Sequence, residues 1–364
     1  MSTLEVKKLT DRVGTGKPNF SLGLNVSGSD SGISPPTRTE GNTEPSSPSN
    51  GDTWYDTDND TYDVYMNDQW QRFLGSGSAN PSVWYGDRGI VAGGQGSSSA
   101  SNIIDYFAIA TTGNATDFGD IWTPKANTAG CSDGTRGLIA GGFTNTINYI
   151  TTATTGNSSD FGDLTRSTGQ FGSAGDGTYG LWAGGGYNNE IQYVTVQTTG
   201  NASDFGDLTY AGYAQCGVSN GTNGFFAGGY NGSYLNNIET VVFATPANST
   251  DFGDLTVTKS DFQGCSDATR AVIGGGYNGV SSGPSTIDYF TMATSGNATD
   301  FGDPTVNRYK SASSSNGTYG TWAGGFSTTN VIDYVTIQTT GNATDFGDLT
   351  QARYASTGLS GSAA

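Results

Sequence analysis

Acidic and aromatic residues carry what chemistry this sequence can offer. A phrase close to T-T-G-N-A-T-D-F-G-D-L occurs six times and places two aspartates three residues apart, from Asp117 with Asp120 to Asp345 with Asp348. Such a pair could share a Ca²⁺ ion, and D-F-G is by letter the magnesium-binding motif of kinases. Six copies without any other kinase element read instead as scaffold, because Asn, Thr and Asp side chains satisfy the backbone of a turn. The run Asp56-Thr-Asp-Asn-Asp60 starts like a calcium loop. Thr61 then stands where Gly is required and Asn67 where a bidentate Glu is required, so a solvated hairpin turn is expected. The chain has no histidine, which excludes imidazole acid–base work and imidazole metal ligation. A carboxylate-pair glycosidase needs one distinct acidic pair, and here every abundant acid belongs to the repeat. No enzyme, metal or cofactor is expected.

A different chemistry lies in the stretches that follow six Gly-Gly pairs. They include G-Y-N-N-E, Y-N-G-S-Y-L-N-N, G-Y-N-G-V-S-S-G-P-S-T and F-S-T-T-N-V. Tyr supplies rigid aromatic contact, while Asn, Ser and Gly supply adaptable hydrogen bonding, the combination that recognition loops use. Tyr187, Tyr230, Tyr234 and Tyr277 are the candidate anchors, with Asn188, Asn231 and Asn278 beside them and Phe326 at the matching place of the last repeat. Aromatic stacking with amide hydrogen bonds suits sugar rings, so a surface glycan is the expected ligand. The first aromatic after each Gly-Gly has a second reading, as a residue packed on its own sheet, because Phe or Tyr recurs there.

The elements that must position these loops are set by spacing. The Gly-Gly pairs are Gly93-Gly94, Gly141-Gly142, Gly184-Gly185, Gly228-Gly229, Gly274-Gly275 and Gly324-Gly325, a period of 43 to 50 residues. From the last aspartate of a phrase to the next Gly-Gly the steps are 21, 21, 21, 20 and 21. From Asp105, Asn148, Gln192, Glu239, Asp288 and Asp333 to the phrase aspartate the step is always 12. Only the stretch after Gly-Gly varies, with steps of 11, 6, 7, 10, 13 and 8. In a radially repeated fold those loops share one face, and insertions confined to them mark the face that binds.

Each repeat holds four strand-like segments: small residues ending in a turn signal, an apolar run to Gly-Gly, an alternating β-branched strand, and the phrase leading outward. The composition agrees. The 364 residues include 57 glycines, yet aromatics reach 12% and recur in register, which favours a turn-rich β fold over disorder. The net charge of −18 opposes binding to nucleic acid or anionic lipid, and no apolar run is long enough to span a bilayer. The first ten residues lack the apolar core of a signal peptide. Cys131, Cys216 and Cys265 fall at small strand positions and are expected to be buried and unpaired, and the six N-x-S/T sequons are expected to serve turns. Residues after Arg353 align with the start of a further repeat, so the carboxyl-terminal strand is expected to complete the blade opened by residues 88 to 122. Six blades closed across the termini leave no free edge.

An apolar run ending in Gly-Gly, a variable loop, a Tyr-bearing strand, a turn with one large aromatic and an Arg before the innermost strand together resemble the kelch repeat. Arg166, Arg308 and Arg353 match that family's arginine position. Phe118, Phe161, Phe205, Phe252, Phe301 and Phe346 stand where kelch blades usually carry Trp. The resemblance covers residues 84–364 and implies an all-β fold with a six-bladed kelch-like propeller, which settles no activity.

Ahead of it lie an extended arm (1–32), a Pro/Ser/Thr-rich linker (33–50) and a small β-hairpin module (51–76) with Trp54, Tyr55, Tyr62, Tyr65 and Trp70 as its core. The arm and the G-D-T-W-Y-D hairpin resemble the amino-terminal parts of tailed-phage fibre and appendage proteins, especially those of marine and cyanobacterial phages. That resemblance implies a virion protein attached to other virion proteins through residues 1–32, with the propeller meeting a host receptor or glycan. Fibre proteins of this kind are commonly trimers. A purely structural docking protein of capsid, neck or tail is the alternative, and a polysaccharide-degrading enzyme the third.

Overall fold

Apolar runs that end in Gly-Gly become the second strands of six four-stranded antiparallel sheets, arranged as the blades of a β-propeller. The structure is a computed structural model that describes residues 38–41, 45–48, 52–56, 61–66, 69–72, 86–280, 286–326 and 328–362. In blade 2 the strands run Thr128–Ser132, Arg136–Gly141, Thr144–Thr151 and Ser159–Thr168, from the axis outward. Blades 3 to 6 repeat this order. Blade 1 begins with Arg88–Ala92 as its second strand and takes its innermost strand from the far end of the chain, Thr357–Gly361, paired Thr357 to Ala92 and Gly361 to Arg88. The fold is all-β, and the ring closes across the termini as the spacing predicts.

The phrase forms each outermost strand, and its letters now have physical reasons. In all six blades the register slips at the same place: Ile104 faces Gly119 but Asp105 faces Asp117, so Phe118 is the extra residue of a bulge. The bulge turns that ring inward. Phe118 and its five counterparts are buried, and in five blades the ring meets a third-strand Tyr, as Tyr106 meets Phe118 at 5.9 Å. The glycine after it carries the next blade. A Cβ on Gly119 would lie 2.4 Å from the Gly156 carbonyl oxygen, where the turn of blade 2 docks.

The sequon asparagines join blades rather than only shaping their own turns. Asn157 Oδ1 accepts the Asp120 N–H, and Asn201, Asn248, Asn297, Asn342 and Asn114 do the same for Asp163, Asp207, Asp254, Asp303 and Asp348, all at 3.0–3.1 Å. Each phrase therefore binds the next copy of itself. The three cysteines are free and buried, as expected from their slots, and burial pushes the Cys216 thiol up to about 12.

One reading of the spacing is corrected. In the fifth repeat Gly274 ends the strand Arg270–Gly274, and it is Gly275 and Gly276 that take the positive φ values (74° and 120°) of the other pairs. Measured to Gly275, the step from Asp254 becomes 21 like the rest. The pair is glycine because the carbonyl of the incoming linker presses on it: a Cβ on Gly275 would sit 2.5 Å from the Arg308 oxygen.

The amino-terminal unit is a separate four-stranded sheet. Arg38–Gly41, within the stretch read as linker, pairs in parallel with Thr53–Asp56, which continues antiparallel to Thr61–Met66 and Gln69–Arg72. Trp54 is buried in it. The arm at 1–32 lies outside the described residues.

Candidate binding face

Antiparallel order puts the Gly-Gly loops and the linkers between blades on one face of the ring. Each linker leaves an outermost strand at the end where the second strand of that blade stops, so residues far apart in sequence meet there. The linkers contribute Tyr213, Tyr309 and Tyr354, and the loops contribute Tyr187, Tyr230, Tyr234, Tyr277 and Phe326. These eight rings form one series of contacts in the order 187, 213, 230, 234, 277, 309, 326, 354, with successive centroids 4.7–5.7 Å apart. Most steps are edge-to-face or tilted, and Tyr309 stacks on Phe326. The arc covers blades 3 to 6 and the linker into blade 1.

All five aromatic candidates read from the sequence belong to this arc. The two readings of the first aromatic after Gly-Gly divide by blade. Tyr187 and Phe326 are exposed (58% and 41%), whereas Tyr230 and Tyr277 are half-buried; Tyr230, Tyr277 and Phe326 all bridge by backbone to the linkers, at Tyr213, Ser260 and Tyr309. Asn188 is committed to its own loop, its Oδ1 accepting the Glu190 N–H at 2.6 Å. Asn231 and Asn278 accept the N–H two residues on at 3.3 Å, from Ser233 and Val280, which shapes their loop tips. Tyr213, Tyr309 and Tyr354 were missed by the sequence reading, although all three occupy one repeat position at the end of the linker. Burial, and then contact with Tyr187, push the Tyr213 phenol up to about 12, and burial likewise raises Tyr234 and Tyr309.

Inside the arc the axis is closed by backbone. Asn127, Gln170, Ala214, Asp261, Lys310 and Ala355 all have φ between 55° and 60°. Each donates its N–H to the carbonyl of its counterpart one blade back, giving a closed circle of six hydrogen bonds of 2.6–3.1 Å. The circle surrounds a pit of about 40 Å³ that also touches Thr128, Ser311 and Ser356.

Beneath the face, the residues used above only as spacing marks hold the blades together. Asp105, Asp288 and Asp333 are fully buried and pair with Arg353 (2.9 Å), Lys259 (2.9 Å) and Arg308 (2.7 Å) from the preceding linkers. Each cation is tied to both blades, since its own carbonyl accepts from the second glycine of the blade before: Arg353 from Gly325, Lys259 from Gly229, Arg308 from Gly276. Burial works against both charges of the Arg308–Asp333 pair, lowering the pKa of Arg308 and raising that of Asp333. Arg166, expected at the same position as Arg308 and Arg353, instead lies two residues earlier in its repeat and makes a half-exposed pair with Glu190 at 3.3 Å. Among the described residues no group of three or more His, Cys, Asp or Glu side chains is arranged to hold a metal ion. Compared with known proteins, the chain matches no family model and no curated protein, so its face has to be read from its own geometry.

Proposed function

We propose that this chain is a virion appendage protein of the tail-fibre kind, which attaches to other virion proteins through residues 1–32 and presents a kelch-like propeller to glycans on a host surface. One observation carries the reading: eight aromatic rings run in unbroken contact across a single face. A pyranose has an apolar C–H face and a polar edge. An arc of phenols bordered by Asn and Ser loops offers the matching pair of surfaces, at low entropic cost because tyrosine has few rotatable bonds. The arginines that reach buried acids from the linkers, together with the Gly-Gly turns, support the kelch likeness. The amino-terminal resemblance to phage appendages supports the virion setting.

Replacing Tyr230, Tyr234 and Tyr277 together with alanine tests this. Particles carrying the variant should assemble normally and lose at least tenfold in host adsorption. Assembly failure with adsorption retained by the surviving particles would favour a docking protein, and release of reducing sugar from host envelope would favour an enzyme.

A further inference from the structure

We infer that Asn231 and Asn278, at the tips of two neighbouring loops of the binding face, are self-modification sites. Each loses ammonia to the amide of the glycine that follows it and becomes aspartate or isoaspartate. The reaction needs only the fold, while its effect on recognition rests on the glycan reading above. Three observations carry it.

The first is the residue pair. An Asn carboxamide is electrophilic at Cγ, and the next backbone nitrogen can close a five-membered ring on it. Glycine in that place has no Cβ to shield its nitrogen. Among the described residues Asn220, Asn223, Asn231, Asn278 and Asn316 are each followed by glycine.

The second is a contrast in hydrogen bonding. Asn220 and Asn316 lie in turns between first and second strands, on the opposite face of the ring. Each carboxamide oxygen there accepts two N–H groups at 2.7–3.0 Å, from Thr222 and Asn223 or from Thr318 and Tyr319. The attacking nitrogen is tied down as well, since Gly221 and Gly317 donate to Ser219 Oγ and Ser315 Oγ at 2.9 Å. Gly224, after Asn223, is buried in a strand paired on both sides. On the binding face these restraints are missing. Asn231 and Asn278 each accept a single N–H at 3.3 Å. Gly232 and Gly279 are exposed, and their amides donate to no described residue. Both partners of the reaction are free to meet.

The third is placement. Asn231 and Gly232 lie in the hairpin tip whose ends, Tyr230 and Tyr234, bridge and touch ring to ring at 5.0 Å. Gly279 faces Tyr234 from the next blade, where a Cβ would lie 3.2 Å from that ring. The two sites therefore flank Tyr234 in the middle of the arc. In each, the glycine nitrogen bonds to Cγ, the Cγ–Nδ2 bond breaks, and the nitrogen's proton leaves with the amide as ammonia. Water then opens the succinimide at one carbonyl to give aspartate, or at the other to give isoaspartate, without oxidant or cofactor. Either product leaves a carboxylate that a sugar covering Tyr234 must desolvate. Isoaspartate also adds a carbon to the backbone of a tight tip. The face loses affinity as the protein ages.

Peptide mapping by mass spectrometry tests this on the full chain, held for weeks in mildly alkaline buffer made with heavy-oxygen water. Peptides containing Asn231 and Asn278 should convert at least about tenfold faster than those containing Asn220 and Asn316, where attack must first break three hydrogen bonds. In urea-unfolded chain the four should convert alike. Equal rates in the folded chain, or faster conversion at Asn220 or Asn316, overturns the inference. The double variant Asn231→Asp with Asn278→Asp supplies the charge directly and should lower host adsorption several-fold at an unchanged thermal midpoint. Full adsorption by this variant, when the tyrosine replacements abolish it, overturns the effect on recognition and leaves the glycan reading standing. Adsorption unaffected by either set overturns the glycan reading and that effect together, and the conversion rates still decide the modification.

Discussion

Between blades 4 and 5, 5 and 6, and 6 and 1, a linker cation is buried against a third-strand aspartate. Between blades 1 and 2, 2 and 3, and 3 and 4, the same places are filled otherwise. Asn148 replaces the acid, and Lys125 Nζ turns to the Thr146 hydroxyl and carbonyl. Arg166 pairs nearer the surface with Glu190, and the buried Glu239 is satisfied by the Ser249 hydroxyl and the Thr209 amide. The ring thus has a locked half and an unlocked half on one common scaffold. Buried ion pairs are therefore not what makes a blade, since three junctions close without them. Their cost of desolvation brings little net stability, while breaking one is expensive, so they act as locks. Three of the four junctions beneath the aromatic arc are locked ones, which gives the arc a rigid bed, as a preorganised recognition surface requires.

The sharpest way to break the comparison is to unlock one junction of each kind. Arg353→Met leaves Asp105 buried and unpaired in the junction that closes the ring, and should cost about 3–5 kcal/mol in urea denaturation. Arg166→Met removes a pair with side chains 29% and 23% exposed, together with hydrogen bonds to the Gly184 and Gly185 carbonyls, and should cost less, about 1–2 kcal/mol. Equal costs would mean that the two halves do not differ.

A second test converts an unlocked junction. Burial lowers the pKa of Lys125 from 10.5 to about 8. Below pH 8 the folded and unfolded chains both hold the proton, and the folded state bears the full cost of the buried charge. Between pH 8 and 10.5 the folded chain releases a proton that the unfolded chain keeps, so this group makes stability rise with pH. Asn148→Asp places a carboxylate where the locked junctions have one. It should raise the Lys125 pKa and add on the order of 2 kcal/mol at pH 7.5, with a smaller gain at pH 9.5. Paired denaturation curves at the two pH values decide it, and a gain that grows with pH would contradict the assignment.

The smallest effect is a control on the rim. Asn157→Ala and Asn342→Ala each remove one inter-blade acceptor, in the unlocked and locked half respectively, and should cost the same, about 0.5–1.5 kcal/mol. A clear excess for Asn342→Ala in thermal melts would extend the locked half to the perimeter.

Repetition made the fold legible, because a constant phrase measures everything between its copies. It failed by one residue where three glycines follow each other, since letters cannot say which of Gly274, Gly275 and Gly276 takes positive φ. The loop tyrosines were legible from their type and from the variable length of their loops. Tyr213, Tyr309 and Tyr354 were not, because they lie on the far side of a blade in sequence and only the antiparallel order returns them to the same face. The locks left a trace that went unused: Asp105, Asp288 and Asp333 coincide with Arg353, Lys259 and Arg308 one linker earlier, whereas of the three non-Asp residues only Asn148 follows a cation at that place, Lys125. A side chain that serves as a spacing mark can also be a partner, and only coordinates pair it with a residue some 250 positions away, as Arg353 is with Asp105.

The self-binding phrase has one more consequence. An asparagine clamp that fits every neighbouring strand equally well carries no address: the Asn248–Asp207 clamp on blade 3 is the same as the Asn342–Asp303 clamp on blade 5. A folding chain could therefore skip a repeat, or accept one from a second molecule, without any mismatch at the rim. Chain order has to be enforced elsewhere, and the unlike junctions supply the labels. An arginine that requires an aspartate, set beside a lysine that meets an asparagine, tells each blade which neighbour is its own.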